Sequence, residues 1–276
     1  MMIKTPAQWH EDDLRTIENY RPIDDDFMRV LFKNDLPLAQ TVLRIITGIE
    51  DLELISEETQ YDAKRLQGGR SLCLDVLGKD SQGRMFNLEV QRADKGATPQ
   101  RARYHSSVMD VEFLHAKQEF VELPITYVIF ITESDVRGKG KLLYSFAWTD
   151  TEDGTSLDDG AHILFVNGAY DNQDDTSALA QLVHDFRCKR ADEMRTKALA
   201  DKTRYLKDSP EGVSEMCKAI EDMRNEAAAQ AAWQKAAEIA MEMLASGTLT
   251  HEQIAQFTKL TLDEVAELAQ SVQTPV

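Results

Sequence analysis

The chain has 276 residues, 42% of them hydrophobic and 29% charged, which is enough apolar material for a buried core. Its net charge of −17 weighs against a broad, non-specific hold on nucleic acid, since that binding is driven by Lys and Arg on phosphate. No apolar run approaches the ~18–20 residues of a membrane span. The N-terminus turns polar and acidic straight after Met-Met-Ile-Lys-Thr-Pro, with no signal peptide in view, and the three cysteines form no CxxC pair; a reduced cytoplasm without membrane contact is the expectation.

Residues 1–20 read as a helical arm carrying Trp9, Leu14 and Ile17. Asp24-Asp25-Asp26 offers N-cap chemistry for a helix with Phe27, Val30 and Leu31. A second helix is expected after Pro37, with Val42, Leu43, Ile45 and Ile46 as its apolar face, and Leu52–Ile55 as a short strand.

The alternation from Ser71 to Lys79 sets Leu72, Leu74 and Val76 on one face and Ser71, Cys73, Asp75 and Leu77 on the other. Asp80-Ser81-Gln82-Gly83 is turn chemistry. Met85–Gln91 then alternates again, with Asn87, Glu89 and Gln91 on one face. If paired residue numbers sum to 164, Val76 meets Leu88, Leu74 meets Val90, and Asp75 meets Glu89. A slip of one residue would destroy every match.

Residues 100–120 read as one long helix carrying Tyr104, Val108, Val111, Leu114 and Phe120, stopped by Pro124. Ile125–Thr132 is a near-continuous apolar run, hence a buried central strand. Leu142–Trp148 and Ala161–Val166 are further strands around a polar loop. After Asp174 the chain turns helical, with an Ala-rich helix over 211–245, a break at Gly247, and helices near 250–257 and 261–271. The last pair has helix-turn-helix spacing, but Asp263, Glu264 and Glu267 would repel phosphate, so a packing role is expected.

Two carboxylates on neighbouring strands, Asp75 and Glu89, make a compact oxygen site for Mg²⁺ or Mn²⁺, and the Val90 carbonyl adds a third donor. Gln91, one pleat beyond Glu89, can orient a water or a phosphate oxygen. Arg92, Lys95, Arg101 and Arg103 cluster just after this site, with Asp94 the sole acid between positions 92 and 105, and Tyr104 follows on the same helix; these residues suit a phosphate backbone. Cys73 reads as a packed thiol and His105 as structural.

Four segments resemble the PD-(D/E)XK nuclease family transposases, the group that includes recombination-promoting nucleases. They are Arg21–Phe32, Arg70–Val76, Phe86–Gln91 and Arg101–Ser107, within roughly residues 20–270. The resemblance implies an α/β fold of restriction-endonuclease type, an αβββαβ core with a mixed sheet flanked by helices. It implies Mg²⁺ or Mn²⁺ as cofactor, DNA as partner, and endonucleolytic cutting by a Mg²⁺-dependent phosphodiesterase in transposition or recombination. Asp75 and Glu89 would hold the metal, Gln91 would occupy the place usually held by a lysine, and Asp25 would be the acid of the first core helix. The expected division is a nuclease domain over 1–205 and a helical extension over 206–276, the latter a surface for self-association. The competing expectation is a degenerate nuclease fold acting as a binding or oligomerisation module.

Overall fold

The computed structural model describes residues 11–63, 72–92 and 96–273. By chain contacts it divides into two compact units, one ending at Cys217 and the other beginning at Lys218.

The first unit starts with α1 (Glu11–Asn19), α2 (Asp25–Phe32) and α3 (Leu36–Thr47). Trp9 of the expected arm lies outside the described residues. Asp35 caps α3, accepting from the Leu38 N–H at 3.2 Å, and Pro37 sits in the first turn, so the helix begins just before the proline and not after it. Gly48, at φ +71°, closes it in the left-handed region. Asp24 precedes α2 but makes no capping bond with its side chain. Its carboxylate turns back to accept from the Arg21 N–H at 2.7 Å and pairs with the Arg21 and Arg92 guanidiniums, both at 3.1 Å. The capping expectation for Asp24 is therefore corrected: two arginines compete for the side chain and win.

Next come β1 (Leu54–Ala63), β2 (Leu72–Asp80) and β3 (Met85–Gln91), then α4 (Pro99–Phe113), β4 (Thr126–Thr132), β5 (Leu143–Phe146) and β6 (Ala161–Asn167). The sheet order is β1-β2-β3-β4-β6-β5. The first three strands are antiparallel, β3, β4 and β6 run parallel, and β5 joins antiparallel at the edge. This is the expected mixed α/β architecture. β1 is longer than the strand expected over 52–55, because pairing with β2 extends a polar sequence that has no apolar alternation of its own.

The β2–β3 hairpin has the expected register: Val76↔Leu88, Leu77↔Asn87, Gly78↔Phe86 and Lys79↔Met85. Its turn is locked by the fully buried Asp80, which accepts from Gln82 N–H at 3.0 Å and Arg84 N–H at 2.8 Å and pairs with the Arg84 side chain. Gly83, at φ +81°, supplies the left-handed residue the turn needs. Among the described residues this ladder stops at Val76↔Leu88, so the expected pairing of Leu74 with Val90 is not part of it. Leu74 instead shares a core cluster with Leu77, three positions away, so strict alternation fails between them.

That cluster lies between the sheet and α4: Ala102 and Met109 of the helix pack with Val128, Phe130 and Phe165 of the strands. On the opposite face, Leu43 of α3 approaches Gly78 of β2. β4 is buried on both faces, as its apolar run requires. The α4 helix ends at Phe113, with a short 3₁₀ turn over Phe120–Glu122. Tyr104 and Val111 of α4 are exposed, as is Phe120, which falls in the 3₁₀ turn beyond the helix. The buried stripe is Ala102, His105, Met109 and Glu112. Two of these four are polar, and that mixture conceals the face from a hydrophobic-periodicity reading.

Helices α5 (Ala178–Arg187) and α6 (Lys197–Asp208) complete the unit. Lys207 of α6 donates to three backbone carbonyls, those of Glu18, Tyr20 and Lys189, and ties the ends of α1 and α5 together. Helix α7 (Pro210–Ser246) continues into the second unit, which adds α8 (His251–Thr258) and α9 (Leu262–Gln273). Ala240, Ile254, Leu260 and Val265 form its core, consistent with the packing role expected of the last two helices. No helix among the described residues is long and apolar enough to cross a membrane.

Candidate active site

Where the β2–β3 ladder ends, side chains take over from backbone. The Asp75 N–H donates to Glu89 Oε1 at 3.2 Å, and the Val90 N–H donates to Asp75 Oδ2 at 3.3 Å. The two carboxylates thus lie across adjacent strands, each satisfying a donor of the other strand. Glu89 is fully buried and Asp75 half-buried. Burial pushes both carboxyl groups above the usual carboxylate range, and for Glu89 the neighbouring Asp75 charge adds to the push. Two such groups titrate as a pair, and without a cation they hold protons at pH values where ordinary carboxylates are ionised.

Gln60 of β1 stands opposite Asp75 in the register, between Thr59↔Val76 and Tyr61↔Leu74. Its backbone is in the left-handed region, φ +57°, and its Nε2 lies 3.4 Å from Asp75 Oδ1. A non-glycine residue in this conformation within a strand is strained, and strain of this kind concentrates at functional sites.

Helix α4 supplies the far wall. Thr98 caps it by accepting from the Arg101 N–H at 3.1 Å, and Pro99 begins the first turn. This fixes Arg101 and, one turn on, His105 towards β3. The Arg101 Nη2 is 3.3 Å from Glu89 Oε2, and its Nε donates to His105 Nε2 at 3.2 Å. His105 is fully buried, edge-on to Phe130, with Nδ1 at 3.0 Å from the Asn87 amide and 3.5 Å from Glu89 Oε1. Burial, reinforced by Arg101, pushes its pKa down to about 3, so the imidazole is neutral and makes no ion pair with Glu89. A neutral ring that accepts from Arg101 holds the guanidinium on Glu89 without adding charge.

Asp25 lies in the first turn of α2, with an exposed side chain. Its field raises the Asp75 pKa, and its own is raised by desolvation and by Asp26, so the two acids share one electrostatic neighbourhood. Gln91 is half-buried on the Glu89 face, its carboxamide oxygen against the backbone of Gly96: a Cβ at position 96 would come within 1.7 Å of it. A larger residue at position 96 would have to displace the end of the Gln91 side chain, so glycine there leaves the carboxamide room at the entrance to α4.

Of the basic residues expected on phosphate, Arg101 belongs to the carboxylate cluster, and Arg92 pairs with Asp24 and, at 3.7 Å, Glu133. Arg103 and Tyr104 are exposed on α4. Lys95 and the Cys73 side chain lie outside what is described. A recess of about 540 Å³ beside α2 gathers Arg15, Arg21, Arg92 and Lys189 around Asp24, a local basic patch on an acidic chain. Gln60, Asn87 and His105 were not expected at the site. Asn87 and His105 carry weak signals, as Asn87 shares the strand face of Glu89 and His105 follows Arg101 by one turn; Gln60 carries none, because its left-handed backbone has no sequence mark.

The donor set fits a hard divalent cation. Two carboxylates converge, and the Val90 carbonyl points to the same edge of β3 as its N–H, which already bonds Asp75. The raised carboxyl pKa values mark negative charge that a dication would relieve.

The sequence profile of the PD-(D/E)XK nuclease family transposases matches residues 38–176, half of the chain, and the protein belongs to this family. The match takes in Asp75, Glu89, Gln91 and α4, whereas Asp25 lies before it. Searches of curated proteins and of solved structures each found no match.

Proposed function

We propose that this nuclease-family protein is a DNA endonuclease that uses a magnesium-class ion bound by Asp75, Glu89 and the Val90 carbonyl. The observation that carries this reading is the meeting of two carboxylates, the fully buried Glu89 and the half-buried Asp75, at the end of the β2–β3 ladder, with their proton affinities raised. When bound, such an ion polarises a phosphodiester and lowers the pKa of its water. Gln91 is neutral and orients a water or phosphate oxygen. The positive charge it lacks comes from Arg101, which is 39% exposed beside Glu89 and so faces both the pair and solvent. Asp25 joins as the acid of the first core helix. Arg92 with its basic recess, and Arg103 and Tyr104 on the outer side of α4, hold the DNA backbone. Transposition or recombination is the setting that the family supports.

The test is cutting of supercoiled plasmid with Mg²⁺, Mn²⁺ or Ca²⁺ by the wild type, Asp75→Ala and Glu89→Ala. Cutting by the wild type with Mg²⁺ or Mn²⁺, lost in both variants while circular dichroism stays native, is expected. Wild-type protein that leaves the plasmid intact with all three ions would move the assignment to a binding module.

A further inference from the structure

Away from the carboxylate pair, the last turn of α5 brings three chemically different donors together. His184 Nδ1 is 3.0 Å from Asp185 Oδ1, and Cys188 Sγ is 3.6 Å from the same nitrogen. One ligand atom from each residue lies within 4.8 Å of the other two. Asp185 is fully buried, Cys188 nearly so, and His184 is 30% exposed. We infer that His184, Asp185 and Cys188 form a second metal site, one for a zinc-class divalent ion, separate from the proposed catalytic centre.

The donor chemistry selects the ion. Sulfur with imidazole nitrogen and carboxylate oxygen is a borderline-soft set, suited to Zn²⁺ or Co²⁺ and unsuited to Mg²⁺ or Ca²⁺. The spacing fits as well. Tetrahedral Zn²⁺, with its usual bond lengths, separates sulfur from nitrogen by about 3.6 Å and nitrogen from oxygen by about 3.3 Å. The observed 3.6 Å matches the first value, and the observed 3.0 Å needs to open by a few tenths of an ångström. Three protein ligands with one partly exposed leave a fourth position to water, the pattern of open zinc sites.

The surroundings hold the ligands in place. Asp185 Oδ1 accepts from the Arg195 N–H at 2.9 Å and Oδ2 from the Thr196 N–H at 2.6 Å. These bonds occupy one lone pair on each oxygen and fix the carboxylate plane, as supporting hydrogen bonds do around metal ligands. The thiol donates to the His184 carbonyl at 3.4 Å. Burial and the nearby Asp185 and Glu193 carboxylates raise its pKa to about 11, so the metal-free thiol keeps its proton. A dication supplies the missing positive charge: the Cys188 S–H bond breaks, an S–metal bond forms, and the proton leaves to solvent.

Cobalt(II) reads this site directly, since only thiolate ligation gives a near-ultraviolet sulfur-to-cobalt charge-transfer band. The background is full-length protein carrying Asp75→Ala and Glu89→Ala, which removes the other candidate centre and makes the result independent of DNA cutting. Titration with Co²⁺ is expected to raise the band together with tetrahedral visible bands, and Zn²⁺ to bleach both. Cys188→Ser is expected to abolish the charge-transfer band. If that variant fails to fold, His184→Gln, at a half-exposed position, serves instead and is expected to weaken and shift the bands. No charge-transfer band in the parent, or a band unchanged by the substitution, would overturn the site and leave Asp185 as a hydrogen-bonding anchor for the start of α6.

Discussion

Asp75→Asn offers a test in which stability and function move in opposite directions. Two ionised carboxylates ~4 Å apart would repel by about 4 kcal/mol at an effective dielectric near 20. Arg101 beside Glu89, and the proton that the pair retains, reduce what substitution recovers to about 1–2 kcal/mol. The amide oxygen still accepts from Val90 N–H, and the bond given up, to Gln60 at 3.4 Å, is long and weak. In chelator at neutral pH, calorimetry should therefore place the Asn variant above the wild type by roughly 2–8 °C, given ~2–4 °C per kcal/mol for a unit of this size. Saturating Mn²⁺ should invert the order, because about 100-fold excess over Kd stabilises the wild type by ~2.7 kcal/mol and gains little from the variant. An Asn variant less stable than the wild type in chelator would refute the reasoning, because Asp75 would then be a structural hydrogen-bond acceptor and not a strained ligand.

Arg101→Ala should lower the cutting rate by about 10²-fold or more, with Arg101→Lys recovering only part, since Lys lacks the fork that reaches Glu89 and His105 together; single-turnover kinetics would show it. Arg103→Ala should instead weaken DNA binding and flatten its dependence on salt, which filter binding across a salt series reads. Gln60→Gly should relieve the left-handed backbone and stabilise the fold by about 1 kcal/mol, while Gln60→Ala should not; urea unfolding of the two variants separates strain from side-chain loss. Lys207 is pushed from 10.5 down to about 8 by burial. The folded state therefore binds fewer protons than the unfolded state between those values, and stability rises with pH across that window. The rise should be on the order of 1–3 kcal/mol, fully present above pH 10.5 and lost towards pH 8. Lys207→Met should remove this slope in unfolding measurements at pH 8 and pH 10.

The hairpin register was legible because two apolar faces had to match at once and Asp80–Gly83 had to turn, which leaves one solution. The buried β4 and the long C-terminal helices were legible from composition. The α4 face was not, since His105 and Glu112 replace apolar residues where the helix meets Glu89 and Tyr61: Tyr61 donates to Glu112 at 2.7 Å. The Asp24 cap failed because Arg21, three residues back, and Arg92, arriving from the end of β3, both take its carboxylate. Gln60 was invisible because backbone strain is imposed by its neighbours and leaves no residue signature.

Single-turnover cleavage of a labelled duplex in Mg²⁺, comparing wild type with Asp75→Asn after both are shown to be folded, tests the central claim most directly. The account requires cutting by the wild type and none by the variant, even though the variant is the more stable protein in chelator. Equal cutting by both, or none by the wild type with either Mg²⁺ or Mn²⁺, would contradict it.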